Sequence, residues 1–375
     1  MRYCARCLQP DTRPNTVFDG NGICPACNYV RSLEDVDWVE RFEQLTELLA
    51  ARPKRKKQGF DCLVGVSGGK DSTRQALWVR ERLGLRPLLM CLSYPPQQVS
   101  QNGVANISNL INQGFDVVVS SPAPETWRRL IRESFFRFTN WARSSELALF
   151  ASVPQTAIRY GIPMILWGEN PALQVGDLKT SGSTGWDGNN LRYSNTLSSG
   201  HQWMLDLGYE PNEVIPYIYP EHAEFNAANI QIIFLGWYLR NWSLFDNAGF
   251  SCGYGLSLRA DLPADTGDLS GTSNLDEDWH LMNQMIKYYK FGFGKVTEIV
   301  SEEIRFGRLT RERAIELVEQ YDGACAPRYV DSFCEYIDIP VSRFWGHVRG
   351  AVNQTLFSID SSGVIQRRFQ VGMGL

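Results

Sequence analysis

From Phe60 onward, short apolar runs alternate with longer stretches in which apolar residues recur every three or four positions. Apolar runs of four to eight residues bounded by turn residues read as buried strands, and the 3.6-residue recurrence reads as amphipathic helix. "FDCLVGV" (60–66) predicts a strand, "STRQALWVRERLG" (72–84) a helix closed by Gly84, and "RPLLMCLSY" (86–94) a second strand. "NGVANISNLINQG" (102–114) predicts a helix ending at Gly114, and "FDVVVSS" (115–121) a third strand. "PETWRRLIRESFFRF" and "SELALFASVPQTAIRYG" predict two helices, and "IPMILWG" (162–168) a further strand. Part of "AANIQIIFLGWYLRNW" (227–242) also reads as strand. Strands alternating with helices imply an α/β fold, a parallel sheet with helices on both faces. Right-handed crossovers in such a sheet put ligands at the carboxyl ends of the strands.

The flanks differ. Before Phe60, Val36, Trp38, Val39, Phe42, Leu45, Leu48 and Leu49 recur at helical spacing. The basic run "RPKRKKQG" from Arg52 follows, readable as a solvated linker or as a patch for an anionic substrate. Residues 169–200 and 249–276 are rich in Gly, Ser and Asp and predict long loops, the first with the length of a lid or binding loop. The last hundred residues predict a mostly helical region, with Thr310 as an N-cap. The expected organisation is a metal-binding module and helix at 1–50, the α/β domain at 58–248 and a helical region at 249–375.

Composition narrows the class. The chain has 375 residues and a net charge of -4, which argues against a dedicated nucleic-acid coat. No apolar run approaches the roughly 18 residues of a membrane span, and the first ten residues lack the apolar core of a signal peptide. A cytoplasmic enzyme is expected. Nine cysteines, an odd number, do not suggest a disulfide framework. Four of them, Cys4-x-x-Cys7 and Cys24-x-x-Cys27, have the spacing of a four-thiolate zinc site. Gly20 and Gly22 suit the turn between the two knuckles. A redox or sulfur-handling pair is the rival, but two matched pairs favour a closed structural site. The other five cysteines are expected to be small buried hydrophobes.

The strand at 60–66 runs into Ser67-Gly68-Gly69-Lys70-Asp71-Ser72 and then a helix. A Gly-rich turn before a helix turns backbone N–H groups toward an anion. Gly68 and Gly69 allow close approach to a phosphate. Ser67 and Ser72 can donate hydrogen bonds, and Lys70 adds positive charge. Asp71 can hold magnesium or cap the helix. The spacing is one residue short of the Walker A loop and does not match the G-x-G-x-x-G of the dinucleotide fingerprint.

The hexapeptide S-G-G-x-D-S resembles that of the PP-loop ATP pyrophosphatases, of adenine nucleotide alpha hydrolase-like fold. The resemblance extends to "NGVANISNLINQGFDVVV", to "WGENP" (167–171), to "FLGWYLRNW" (234–242), to Tyr289–Val318 and to "YDG" at 321–323. Together with the cysteine pairs, these segments are similar to the N-acetyl sugar amidotransferases, the WbpG- and PseA-like group. That resemblance implies ATP cleavage at the α phosphate with Mg2+, and adenylation of the acetamido oxygen of a nucleotide-linked sugar, with a UDP-diacetamido uronic acid as the WbpG-branch substrate. Ammonia then makes an acetamidino group. It comes from a separate glutaminase through a cyclase-like partner, both resembling the subunits of imidazole glycerol phosphate synthase. The product would serve lipopolysaccharide or O-antigen synthesis.

Within that reading Lys70, Asp71 and Glu169 are the candidate catalytic residues, and Ser67 to Ser72 the ATP site. Glu169 takes a proton or is an ordinary loop carboxylate. Asn170 and Lys290 are candidate substrate contacts, Lys290 being equally readable as a surface lysine. The alternative is a tRNA-thiolating PP-loop enzyme, which predicts a basic face and a further sulfur-handling cysteine pair. A non-catalytic nucleotide-binding scaffold is a third possibility.

Overall fold

The computed structural model describes residues 1–51, 59–168, 173, 176 and 187–375. The basic run, Glu169 and Asn170 therefore lie outside the described residues. In chain order come α1 (Pro25–Ser32), α2 (Trp38–Ala50), β1 (Cys62–Gly65), α3 (Lys70–Leu83), β2 (Pro87–Leu92) and α4 (Gln101–Asn112). Next are β3 (Val117–Ser120), α5 (Pro124–Phe138), α6 (Ala142–Arg159), β4 (Met164–Trp167), β5 (Gln231–Phe234) and α7 (Leu244–Gly253). The last stretch holds α8 (Trp279–Phe291), α9 (Lys295–Arg305), α10 (Arg311–Tyr321), α11 (Pro327–Tyr336), α12 (Val341–Ala351), β6 (Phe357–Ile359) and β7 (Ile365–Arg367). Short helical turns lie between several of these.

Two compact units emerge, one of residues 32–127 and 143–257, the other of 1–31, 128–142 and 258–375. The first is built on a parallel five-stranded sheet of order β3-β2-β1-β4-β5. The order reverses beside β1, so the crevice between β1 and β4 is the topological switch point, where open α/β sheets bind ligands. Side-chain alternation sorts the two faces. Cys62, Val64 and Val66 join Leu89, Cys91, Met164, Leu166 and Ile233 in one core against Leu45 of α2, Ala76, Leu77 and Val79 of α3 and Leu110 of α4. Leu63 and Gly65 face the other way. A Cβ on Gly65 would stand 2.8 Å from Val153 Cγ2 of α6, so only glycine lets that helix come so close. Trp167, at the end of β4, stacks on Phe150 of α6 at 5.6 Å. The β5 edge is covered by the Asp187–Ile233 bridge and by Asn189, which accepts from Ile232 N at 2.8 Å.

In the second unit α9 and α10 bury Val296, Val300, Ala314 and Val318 with Leu8, Leu356, Phe357 and Phe369. A second cluster is aromatic, with Phe135 stacked on Phe344 at 5.1 Å and Trp141 edge-on to Trp279. Thr310 caps α10 as its sequence predicts, accepting from Arg313 N at 3.3 Å.

Three expectations need correction. Residues 244–253 form α7, where a loop was expected from 249. Its buried positions are Asn247, Ala248 and Ser251, a largely polar face that apolar periodicity does not reveal. The helical tail ends in an antiparallel β6–β7 hairpin. Cys62, Cys91 and Cys334 are buried, but Cys252 is exposed and Cys325 half-buried. No helix among the described residues is long and apolar enough to cross a membrane.

Candidate functional site: a phosphate loop and a thiolate cluster

The loop after β1 takes shape from its two glycines. Gly68 has φ +77°, and a Cβ there would meet Asn106 Cβ at 3.0 Å and the Gly103 carbonyl at 3.2 Å. The loop thus turns under α4 in a backbone state that other residues reach only with strain. Gly69 is the N-cap of α3 and has no side chain to cap it. The first N–H groups of a helix have no intrahelical acceptor, so this end of α3 is open to an anion. Ser72 Oγ accepts from Ser67 N at 3.4 Å and donates to Gly69 O at 3.2 Å, closing the turn on itself.

Lys70 and Asp71 open α3. Lys70 Nζ donates to Asp71 Oδ2 at 3.0 Å, and Asn247 Nδ2 donates to Asp71 Oδ1 at 2.5 Å. Arg74 Nη1 donates to Asn247 Oδ1 at 2.7 Å and also to the Asn241 carbonyl. Burial lowers the Arg74 pKa, opposed by Asp246 and Asp71. Ser251 Oγ donates to the Lys70 carbonyl at 2.7 Å. α7 therefore aims the Lys70–Asp71 pair through Asn247 and Ser251. Asp71 does not cap α3, since Gly69 occupies that position. Its carboxylate is oriented by donors on both oxygens, an arrangement that leaves lone pairs for a cation.

Gly168 closes the other lip of the crevice. A Cβ there would lie 2.8 Å from Gln75 Oε1 of α3, so β4 and α3 pinch together just before Glu169. Lys290 sits in the other unit, its Nζ donating to the Phe138 carbonyl at 3.0 Å and lying 5.6 Å from the Phe291 ring centre. Asn247, Ser251, Arg74 and Asn106 escape sequence reasoning. For Asn106 a signal existed in the "NGVANISNL" segment; for Asn247 and Ser251 the only signal is the short distance along the chain from "FLGWYLRNW".

Cys4, Cys7, Cys24 and Cys27 bring their four Sγ atoms within 4.8 Å of one another, all buried. Cys4 and Cys27 are 3.9 Å apart and Cys7 and Cys24 3.7 Å. A tetrahedral ion with sulfur bonds of about 2.3 Å needs edges of about 3.8 Å, so the four fit one such ion. Gly22, at φ +73°, turns the second knuckle, while Asp19 Oδ1 accepts from Asn21 N and Ile23 N at 2.9 Å each. Backbone donors also reach sulfur, Cys24 N to Cys4 Sγ at 3.2 Å and Gln9 N to Cys7 Sγ at 3.4 Å. Hydrogen bonds from Cys24 and Cys27 pull the Cys7 and Cys4 thiols down. Burial works against a charge on Arg305, yet Cys7, Cys24 and Cys27 hold its guanidinium protonated. Arg311 Nη1 donates to the Cys4 carbonyl at 3.1 Å and to the Cys7 carbonyl, while Nη2 reaches Gly372 O at 3.0 Å.

The fold and site define an α/β protein whose parallel sheet carries an S-G-G-K-D-S anion loop at its switch point. Residues 272–370 match the family model described as LPS biosynthesis protein WbpG-like, C-terminal domain. Over these residues the chain is similar to the C-terminal domain of WbpG-like proteins. No curated protein matches it significantly. Among solved structures, an NMN synthetase from Francisella tularensis is similar at 12% identity and TM-score 0.34, covering 76% of this chain and 93% of that one. The U34-tRNA thiolase NcsA from Methanococcus maripaludis, with its 4Fe–4S cluster, matches at 13% identity and TM-score 0.30 over 84% and 89% of the two chains. A predicted subunit of a tRNA methyltransferase from Methanocaldococcus jannaschii matches at 14% identity and TM-score 0.28 over 52% and 75%.

Proposed function

We propose that the protein is an ATP-dependent amidotransferase that converts an acetamido group of a nucleotide-linked sugar into an acetamidino group, forming AMP and pyrophosphate. The observation that carries it is a WbpG-like C-terminal domain on a chain whose β1 ends in Ser67-Gly68-Gly69-Lys70-Asp71-Ser72. The substrate class is a UDP-linked diacetamido uronic acid, and the pathway lipopolysaccharide or O-antigen synthesis in the cytoplasm.

An amide carbon is a poor electrophile, so its oxygen is first joined to the α phosphorus of ATP, and pyrophosphate leaves. The open N-terminus of α3, Ser67, Ser72 and Lys70 take the charge that builds on the departing pyrophosphate. Asp71 is the residue to hold Mg2+, which when bound neutralises phosphate oxygens. Glu169 and Asn170, following β4, contact the sugar. Lys290 is assigned to the sugar's anionic group. Ammonia then displaces AMP. It is supplied by a separate glutaminase through a cyclase-like partner. Cys4, Cys7, Cys24 and Cys27 would hold a structural zinc, since four protein thiolates leave no ligand position open for substrate.

The test is direct. With ATP, Mg2+, ammonium and UDP-diacetamido uronic acid, mass spectrometry should find a sugar product about one mass unit lighter, with AMP formed in step. AMP that appears only with tRNA would sink the proposal in favour of a thiolase.

A further inference from the structure

Asn247 stands between two charges. It is almost wholly buried, 1% exposed, on the inner face of α7. An asparagine amide has an acceptor end and a donor end, and its neighbours decide which end faces which. Arg74 can only donate, and its Nη1 lies 2.7 Å from Asn247 Oδ1. Nδ2 is thereby left for the Asp71 carboxylate, which can only accept, and donates to Asp71 Oδ1 at 2.5 Å. Arg74 is fixed in turn. Its Nη1 also donates to the Asn241 carbonyl, and its guanidinium lies 5.1 Å from the Trp242 ring centre and 5.5 Å from that of Phe250. One turn on, Ser251 Oγ donates to the Lys70 carbonyl at 2.7 Å, so α7 holds the first turn of α3 at two points. The chain Arg74–Asn247–Asp71 is polarised in one direction. It pins one oxygen of Asp71 through a neutral amide. Lys70 Nζ, at 3.0 Å, takes the other oxygen, Oδ2.

We infer that Asn247, oriented by Arg74, is a positioning residue for the cation site of Asp71. It pins Oδ1 so that Oδ2 is the oxygen offered to a divalent ion, and Lys70 keeps Oδ2 until a phosphate draws its ammonium away. The inference rests on the ATP-cleaving reading of the loop. Lys70 and a divalent ion compete for Oδ2, because two cations on one oxygen repel each other at contact distance. The phosphates of ATP give the Lys70 ammonium another partner. Asp71 is then released to a cation with its orientation unchanged, since Asn247 still holds Oδ1. Nucleotide and Mg2+ are thereby made to bind together, and the coupling is set by α7 rather than by the loop alone.

The first experiment reads free Mn2+ by its EPR signal, without nucleotide. It compares wild type, Lys70→Met, and Lys70→Met combined with Asn247→Leu or with Arg74→Met. Thiolates favour softer ions, so the cysteine cluster does not compete for Mn2+. Lys70→Met should bind Mn2+ on the order of tenfold more tightly than wild type, because the competing ammonium is gone. Adding Asn247→Leu, close in volume but without a donor, should remove that gain. Adding Arg74→Met should remove it as well. The second experiment follows pyrophosphate release from ATP, with the sugar and ammonium present, against Mg2+ concentration. Asn247→Leu should raise half-saturating Mg2+ on the order of tenfold, with the rate recovered in excess Mg2+. The Arg74→Met/Asn247→Leu double should raise it no further, since Arg74 acts through the amide. Mn2+ bound no more tightly by Lys70→Met, or a gain that survives Asn247→Leu, overturns the inference. So does a rate that excess Mg2+ fails to recover, which makes Asn247 a packing residue. Loss of the fold in both Asn247→Leu and Arg74→Met has the same consequence. All of these leave the ATP-cleaving reading standing. Wild type that releases no pyrophosphate at any Mg2+ concentration brings that reading down, and this inference with it.

Discussion

Gly68 shows how one residue sets the geometry of a site. Its φ of +77° and its approach to Asn106 and the Gly103 carbonyl leave no room for a side chain. Gly68→Ala should cost about 1–2 kcal/mol of stability, read from urea unfolding, because an L-residue there is strained. AMP formation should fall at least about tenfold, since the strain falls on the phosphate loop itself. A variant with wild-type stability and turnover would mean that the loop has slack. The loop was legible in the sequence because its chemistry is local: six consecutive residues carry both the turn and the donors. Asn247 was not, because it meets Asp71 across 176 positions of chain. Nor was Cys252, whose exposure depends on which face of α7 packs inward.

At the scale of elements, the motif segments explain one another. Asp322 of the "YDG" segment is half-buried and accepts from Gly294 N at 2.8 Å, Val296 N at 3.0 Å and Thr297 Oγ1 at 2.6 Å. It caps α9 from across the chain, and Gly323 beside it, at φ +81°, makes room for Tyr288. Asp322→Ala should lower stability by about 2 kcal/mol in urea unfolding, with metal content unchanged, because buried helix donors lose their acceptor. In the first turn of α9, burial works against a charge on Glu298, but Lys287, Arg13 and Lys295 hold its pKa well below 4.5. Lys287 Nζ lies 3.0 Å from Glu298 Oε1 and Lys295 Nζ 3.7 Å from Oε2, with Arg13 on the same carboxylate. A depressed carboxylate stabilises the fold fully above the unfolded pKa of about 4.5 and loses that contribution as pH falls below it. Glu298→Gln should therefore be less stable than wild type at pH 7, and the gap should narrow toward pH 3 in thermal melts. A constant gap would mean that packing, not charge, is responsible. The helices of this region were readable from periodicity. The exchange of caps between them was not, since capping residues from another element carry no local signal.

Across the whole molecule, the thiolate cluster has the clearest structural consequence. Arg311 links the Cys4 and Cys7 carbonyls to Gly372, and Leu375 N donates to Met1 O at 3.0 Å, so both ends of the chain close on this site. Purified protein should carry one zinc per chain by elemental analysis. Cys24→Ser with Cys27→Ser should remove it and lower the melting temperature by more than about 5 °C, because an ion held only by the folded chain adds its binding energy to stability. Iron in place of zinc, or an unchanged melting point, would refute a structural zinc. The sequence alone determined the alternation of strands and helices, the phosphate turn and the paired cysteines, because each is set by spacing within a few dozen residues. The tertiary structure decided what surrounds them. It brought Asn247 and Ser251 of α7 to the Lys70–Asp71 pair and put Asp322 on α9. Those placements depend on which strands become neighbours and on the phase at which each helix meets the sheet. Both are decided by burial of the whole chain, which no local pattern encodes.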